Sequence, residues 1–543
     1  MVVSEIHSKK RNSVEGLLGE LRGLKYALSS YSEIKSGLYT YPIIQSDGSR
    51  KRLHLRISKE GNGILFVDVT DVIHLHGVGT EIIKMALDGL NQGDAAAILR
   101  SKYRVKKSEL IGDVKKAYHI IDHLTQDMDG CQTCALSGLL DRAPLFSLNT
   151  NAPYKVDVAL TYGCNNQCPH CYNEANRLAM PSLPISHWFR VFDKIVELGI
   201  PHVILTGGEA TLHPDFLKIV EYADQLGLVV GLNSNGRYLS HAPFMEKAAK
   251  AGLNHVQITL GSCFKDVHNQ MMGADSFDQT IQGIRTAITT GVHVITNTTL
   301  MRSNLGQIEQ LIEFLYDLGI RTFAMNGMIY AGGGFEHPNA ILAEELPAII
   351  SKVRTLGDDY GMRFLWYTPT EYCRMSPMEL DVGTKKCNAG EYSICIEPNG
   401  DVLPCQSYYV SAGNILNDPW DSIWNNNLFI SFRDREEYPE EYELPQKCWN
   451  CPDLFVCGAG CRIEREAEDG VRIAEIAGGG CAGCSGYINT DDLGERDDRF
   501  THYGQILNGF VPFPSQVSIK RRSSGQMDII TNDEIISVPP DDR

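Results

Sequence analysis

From Lys155 onward the chain alternates between short apolar runs and amphipathic stretches, and this alternation limits the fold more than any other feature. The strand-like runs are KVDVALT, HVILTGG, VVGLNSN, HVQITLG, HVITNTT and TFAMNGM. Between them lie SHWFRVFDKIVELG, HPDFLKIVEYADQLG, APFMEKAAKAG, FDQTIQGIRTAITTG and NLGQIEQLIEFLYDLG, each with helical spacing of apolar residues. These stretches end on Gly199, Gly227, Gly252, Gly291 and Gly319, the residue type that most readily takes the left-handed conformation closing a helix. Near-continuous apolar strands separated by helices predict a parallel sheet with helices outside it. Six such units fall short of the eight in a closed barrel. The expected fold is therefore α/β, with a partial (β/α)6 barrel over residues 153–360 and a site at the C-terminal ends of its strands.

The rest of the 543 residues reads as further units, because one core does not extend over so long a chain. Residues 1–49 read as a polar N-terminal segment with one helical stretch, Leu17–Leu28. Residues 50–125 begin with RLHLRIS and GILFVDV, whose period-two alternation predicts half-buried strands joined by a turn at Glu60–Gly63. Three helical patterns follow, with Asp94 and Ser108 as N-cap candidates for the last two. Residues 126–152 form a linker, residues 361–490 a cysteine-rich block, and residues 491–543 a polar tail with room for one or two strands. No window approaches the length of an apolar membrane span, and MVVSEIHSKK lacks the apolar core of a secretory signal. The net charge of −17 disfavours binding to a phosphate backbone, so neither nucleic acid nor membrane is expected as a partner.

Sixteen cysteines without an export signal point to a reducing, cytoplasmic setting, where clustered thiols bind metal rather than forming disulfides. Directly after the first strand stands Cys164-Asn-Asn-Gln-Cys168-Pro-His-Cys171. Three soft ligands on one strand-to-helix loop suit an iron–sulfur cluster and leave one iron open. A structural zinc site lacks a nearby fourth ligand other than His170. One βα unit later comes Thr206-Gly207-Gly208-Glu209, where two glycines permit close backbone approach and a carboxylate can accept from an ammonium. Asn235, Thr259 and Asn297 are polar residues near the ends of the third, fourth and fifth strands.

The C-x3-C-x2-C loop and the GGE turn resemble the signatures of the radical SAM superfamily, over about Lys155–Leu356. The resemblance implies a [4Fe–4S] cluster on Cys164, Cys168 and Cys171, with S-adenosylmethionine (SAM) chelating the open iron. It implies a SAM amino group held at Gly207, Gly208 and Glu209, and further SAM contacts from Asn235, Thr259 and Asn297. Reductive cleavage of SAM to a 5′-deoxyadenosyl radical follows, with a flavodoxin or ferredoxin as reductant. Strand four of relatives often ends Ser-Leu-Asp; Thr259-Leu260-Gly261 lacks that carboxylate.

Cys387, Gly400, Cys405, Cys448, Cys451, Cys457, Cys461 and Cys481 follow in an order similar to the SPASM extension of peptide-modifying radical SAM enzymes. That resemblance implies a first auxiliary cluster on Cys387, Cys405 and Cys461, and a second on Cys448, Cys451, Cys457 and Cys481. The fourth position of the first is open or filled by Cys395, and Cys484 is an alternative to Cys481. Cys131, Cys134, Cys263 and Cys373 read as ordinary thiols; the alternatives are a redox or cluster element for the C-x2-C pair Cys131–Cys134 and a place near the active site for Cys263, which follows a strand end. Gln406 stands where sulfatase-maturing relatives carry a basic aspartate, which disfavours that reaction. The strands and three helices of residues 50–125 resemble a PqqD-like peptide-recognition domain; a DNA-binding winged helix is the competing reading. Together these resemblances imply oxidative modification of a ribosomally made precursor peptide. The alternatives are maturation of a small haem or metal cofactor, or an iron–sulfur electron carrier or scaffold.

Overall fold

The computed structural model describes residues 34–45, 50–67, 71–126, 146, 150–468, 516–521, 527–530 and 535–537. The stretch Leu17–Leu28 and Cys131, Cys134, Cys481 and Cys484 lie outside these described residues. The chain forms two compact units, one from Met1–Pro144 with Pro514–Arg543 and the other from Leu145–Phe513.

The first unit opens on four antiparallel strands, β1 (Gly37–Ile44), β2 (Arg50–Ile57), β3 (Gly63–Val67) and β4 (Asp71–Leu75). Strand β1 lies in the stretch read from sequence as polar and pairs with β2 from Gly37↔Ile57 to Ile44↔Arg50. The β2–β3 turn falls where expected, with Gly61 at φ 84° and the Ser58 N–H donating to the Asn62 carbonyl at 2.8 Å. Leu53, Leu55 and Ile57 are buried, as alternation requires, but Arg52, His54 and Arg56 are buried too. These strands are therefore covered on both faces rather than half-buried, with the Arg56 guanidinium over the Phe66 ring.

Helices α1 (Gly77–Leu87), α2 (Gln92–Lys102) and α3 (Lys107–Thr125) follow. The N-cap of α2 is Asn91, whose Oδ1 accepts from the Asp94 N–H at 2.9 Å. Asp94 sits one turn inside, where its charge faces the positive helix end. The N-cap of α3 is Lys106, so Ser108 is already helical. Strands β14 (Gln516–Arg521), β15 (Met527–Ile530) and β16 (Ile535–Ser537) extend the sheet to seven strands, β14 running parallel to β4.

The second unit is built on a nine-stranded sheet. Its parallel strands are β5 (Lys155–Thr161), β6 (His202–Gly207), β7 (Val229–Ser234), β8 (Leu253–Thr259), β9 (His293–Thr299) and β10 (Thr322–Asn326). They coincide with the six runs expected from sequence. A seventh parallel strand, β11 (Arg363–Trp366), extends the far edge. At the near edge, β12 (Ser393–Ile396) from the cysteine-rich block pairs parallel to β5, and β13 (Val402–Leu403) turns back on β12. Helices α4 (Ile185–Glu197), α5 (Phe216–Gln225), α6 (Ala242–Lys250), α7 (Lys265–Met272), α8 (Phe277–Thr289), α9 (Ile308–Asp317) and α10 (Leu346–Asp359) intervene. All five predicted helix-ending glycines have positive φ, from 75° at Gly199 to 107° at Gly252. After α4 the Ile200 N–H reaches back to the Ile195 carbonyl at 3.0 Å, closing the helix on its last open acceptors.

Register fixes what each sheet face carries, because alternate residues point to opposite sides. Val156, Val203, Leu205, Val230, Val256 and Ile258 share one fully buried apolar face. The opposite face carries, at the strand C-termini, Thr206, Asn233, Thr259, Asn297 and Asn326 in adjacent strands. A polar layer at that end of a parallel sheet is where such folds bind ligands.

Candidate active site

The loop Cys164–Cys171 leaves the end of β5 and is tied to three other strand ends. From β6, the Gly208 N–H donates to the Thr161 carbonyl at 2.8 Å and the Glu209 N–H to the Gly163 carbonyl at 2.9 Å. A Cβ on Gly207 would lie 2.0 Å from the Thr161 carbonyl oxygen, and one on Gly208 2.3 Å from that of Tyr162. The space these glycines leave is thus filled by the cysteine loop's own backbone, not only kept for a ligand.

From β7, the Asn235 amide donates to Asn165 Oδ1 at 2.6 Å and stands 3.9 Å from Cys164 Sγ. Arg237 reaches the Asn165 carbonyl and, at 3.0 Å, Asn166 Oδ1. From β10, the Gly333 N–H donates to the Cys171 carbonyl at 2.7 Å, and a Cβ on Gly332 would lie 2.6 Å from that same oxygen. The glycine triplet 332–334 and Arg237 were not singled out from sequence; three consecutive glycines at a strand end were the legible signal.

Glu209 is fully buried. Its Oε1 accepts from the Thr211 hydroxyl at 2.6 Å and its Oε2 from the Asn235 N–H at 2.8 Å, while the Ser234 hydroxyl lies 3.0 and 3.1 Å from the two oxygens. Burial raises its carboxyl above the usual range, and these hydrogen bonds oppose that rise. Glu209 therefore locks the β6 and β7 turns together beneath the cysteine loop.

All three loop thiols are free. Burial pushes each up, Cys168 to about 12 with the neighbouring Cys171 and Cys164 adding to the shift. Bare thiolates are disfavoured there; a bound cationic cluster would supply the compensating charge as the protons leave. Cys168 packs with Met271, Met272, Met301 and Met328, a polarizable apolar wall. His170 is held neutral, lowered to about 4 by burial and by His337. Above the sheet, Asn297 Oδ1 and Asn326 Oδ1 are buried with no hydrogen-bond partner, which suits a site that takes a polar ligand. Thr259 lies opposite Asn297 in register.

In the cysteine-rich block, Cys387, Cys405 and Cys461 act on one another electrostatically, and Cys461 is pushed up by burial and by Cys387. Cys448 and Cys457 form a separate neighbourhood. Cys451 packs against the Cys448 cluster. Cys395 is fully buried between Ala159, Tyr162, Leu403 and Tyr409, as a core side chain would be. Gln406 Oε1 is buried without a partner. Among the described residues, no group of three or more His, Cys, Asp or Glu is set to hold a single metal ion. A multi-iron cluster takes each thiolate on a different iron.

Residues 158–315 match the radical SAM superfamily and residues 387–452 the SPASM iron–sulfur cluster-binding domain. The chain carries a radical SAM domain and a SPASM domain, and it is an enzyme. Its cofactors are [4Fe–4S] clusters and SAM. It is 28% identical over 344 residues to an AdoMet-dependent heme synthase of Methanosarcina barkeri, covering 60% of this chain and 96% of that protein. It is 26% identical over 321 residues to a PqqA peptide cyclase of Streptomyces rochei, covering 58% and 85%. The fold is similar to that of Streptococcus suis SuiB bound to S-adenosylmethionine, with a TM-score of 0.56 at 18% identity over 78% of this chain and 96% of SuiB. No helix among the described residues is long and apolar enough to cross a membrane.

Proposed function

We propose that this enzyme oxidatively modifies a ribosomally made peptide, with Cys164, Cys168 and Cys171 holding the SAM-binding cluster. The observation that carries the ligand assignment is how the C-terminal thiols sort. Cys457 and Cys461 are four residues apart in sequence. Yet Cys461 is acted on electrostatically by Cys387 and Cys405, whereas Cys457 acts on Cys448. Two interleaved auxiliary sites follow, Cys387/Cys405/Cys461 and Cys448/Cys451/Cys457.

When bound and reduced, the first cluster supplies one electron to SAM, releasing methionine and a 5′-deoxyadenosyl radical. The chain's own residues prepare for that. Glu209 and Asn235 hold the Gly207–Gly208 turn and the cysteine loop in one geometry, and the methionine wall excludes water. Asn297 Oδ1 and Thr259 offer polar contacts to the ribose end of SAM, and Gly207, Gly208 and Glu209 lie where its amino group docks. A flavodoxin or ferredoxin supplies the electron.

The substrate class rests on the peptide cyclases among the relatives and on the likeness to SuiB, also solved bound to its precursor peptide SuiA. In the first unit, strands followed by three helices fit a PqqD-like recognition domain. A cleft of about 300 Å³ there is lined by Ala96, Ala97, Ile111 and Val114 together with Arg100 and Lys107. The heme synthase relatives favour a second reading, maturation of a tetrapyrrole.

Anaerobic reconstitution with iron and sulfide, then reduction with SAM, should yield 5′-deoxyadenosine. Co-expression with short reading frames beside the gene should yield a peptide that has lost hydrogen. Replacing Cys387 or Cys405 should spare 5′-deoxyadenosine formation and abolish that peptide product. Product formation unaffected by those substitutions would remove the auxiliary clusters from the reaction, and turnover of a tetrapyrrole but no peptide would establish the second reading.

A further inference from the structure

Cys373 reads from sequence as an ordinary thiol, far from either cysteine run. In the fold it stands in the second auxiliary neighbourhood. The backbone N–H of Tyr372, its immediate neighbour, donates to Cys457 Sγ at 3.3 Å. The Cys457 thiol in turn donates to the Thr370 carbonyl at 3.7 Å, so the segment 370–373 lies along this side of Cys457. Cys373 Sγ is 3.8 Å from Glu371 Oε2, the same oxygen that takes the Lys447 ammonium at 2.7 Å. Lys447 directly precedes Cys448, and the Cys373 thiol acts electrostatically on both. Cys373 is exposed, whereas Cys448 and Cys457 are 8% and 7% exposed. Cys448 and Cys457 thus form a buried floor, with Cys451 half-buried beside it and Cys373 at the outer side.

We propose that Cys373 is a ligand of the second auxiliary cluster, completing with Cys448, Cys451 and Cys457 the four thiolates that a closed [4Fe–4S] site takes. The assignment rests on the two-cluster reading above. It gives the fourth position to a residue upstream of the cysteine-rich block, in place of Cys481. Four thiolates saturate the four irons. This cluster would then have no open position for substrate. On binding, the Cys373 proton is released and its thiolate joins one iron, with no change in oxidation state. Lys447, paired to Glu371, stays beside the bound thiolates as a compensating charge.

Iodoacetamide labelling of the full-length reconstituted holoenzyme, mapped by mass spectrometry, tests this directly. Cys373 is an exposed thiol and should label quickly after iron is stripped by chelation. In the holoenzyme its labelling should slow at least about tenfold, because the coordinated sulfur is no longer a free nucleophile. Labelling of Cys373 at the same rate in both forms overturns the proposal. A second measurement compares Cys373→Ala, Cys481→Ala and Cys448→Ala by iron content and low-temperature EPR of the reduced clusters. The expected result is a lost or shifted signal in C373A and C448A, with C481A matching the parent. If C448A loses the signal while C373A matches the parent, the Cys373 assignment alone fails. If neither variant changes iron or signal, the two-cluster reading itself fails.

Discussion

Gly208→Ala puts the smallest side chain where the β6 turn presses on the backbone entering the cysteine loop. Its Cβ would lie 2.3 Å from the Tyr162 carbonyl oxygen and 2.5 Å from that of Gly163, and both atoms are backbone. Ordinary contact begins at 3.4 Å, so the loop entering Cys164 must recede by roughly an ångström. Overpacking of this kind costs about 1–3 kcal/mol of stability. The larger effect is on chemistry, since a misplacement of about 1 Å in a reacting constellation lowers rates by about 10²-fold. The expected outcome is a roughly hundredfold slower release of 5′-deoxyadenosine under excess reductant, with iron content close to that of the parent. Gly306→Ala is the control, because a Cβ there meets nothing within 4 Å and its backbone lies in the helical region. Rates are read by chromatography of quenched anaerobic reactions, and iron by colorimetric assay. A G208A enzyme that cleaves SAM at the parental rate refutes the claim that glycine is needed here to seat the cysteine loop.

The half-buried Arg177 pairs with the buried Glu397, which also engages the Tyr162 hydroxyl at 2.7 Å, so Arg177→Met should leave a buried carboxylate uncompensated. A loss of about 3–5 kcal/mol is expected by chemical denaturation, and a loss below 1 kcal/mol would show the pair to be dispensable. His268 is held neutral by burial, lowered from the usual 6.5 to about 4, with its Nδ1 accepting from the Gly261 N–H. Its folded value lies below its unfolded one, so its stabilising contribution is complete above about pH 6.5 and is lost as pH falls toward 4. Between pH 7.5 and 5.5 that amounts to about 1 kcal/mol, which His268→Asn should remove from the pH dependence of unfolding. Asn297→Ala deletes a buried oxygen that has no partner. SAM binding, followed by equilibrium dialysis, should weaken about tenfold, while stability changes by no more than about 0.5 kcal/mol. A destabilised N297A with unchanged SAM affinity would make Asn297 a sheet residue instead.

The six strands, their helices and the glycine stops were legible because each is a local pattern: apolar period, then a residue free to take positive φ. The three-cysteine loop was legible for the same reason, with all its thiols within eight residues. What sequence did not show is contact between distant segments. Gly207 and Gly208 were read as room for a ligand, but Thr161 and Tyr162 already press against them. Glu209 was visible as a carboxylate, not as a brace between two turns, since Ser234 is 25 residues away. Arg177 and Glu397 are separated by 220 residues, and no spacing announces that they meet. Cys373 failed to stand out because cysteine spacing is read along the chain, whereas its neighbours are 75 or more residues further on.

Strand β12 shows how the two ends of the catalytic unit are fixed to one another. It pairs in register with β5, Ser393 opposite Lys155 through Ile396 opposite Val158. Cys387 precedes β12 by six residues and Cys405 follows β13 by two, so the hairpin is held between two thiols of the cysteine-rich block. The strand that launches Cys164 is therefore the same strand that anchors this second set of thiols. Tyr162, directly after β5, donates to Glu397 at the end of β12, and the Tyr409 hydroxyl lies 3.0 Å from Asn173, just past Cys171. Side chains thus repeat the link that the backbone makes. A one-residue slip would turn every side chain of β12 to the other face, and Cys395 and Ile396 are buried on opposite faces of β12. The spacing between the two sets of thiols is thereby set by sheet register rather than by a flexible linker.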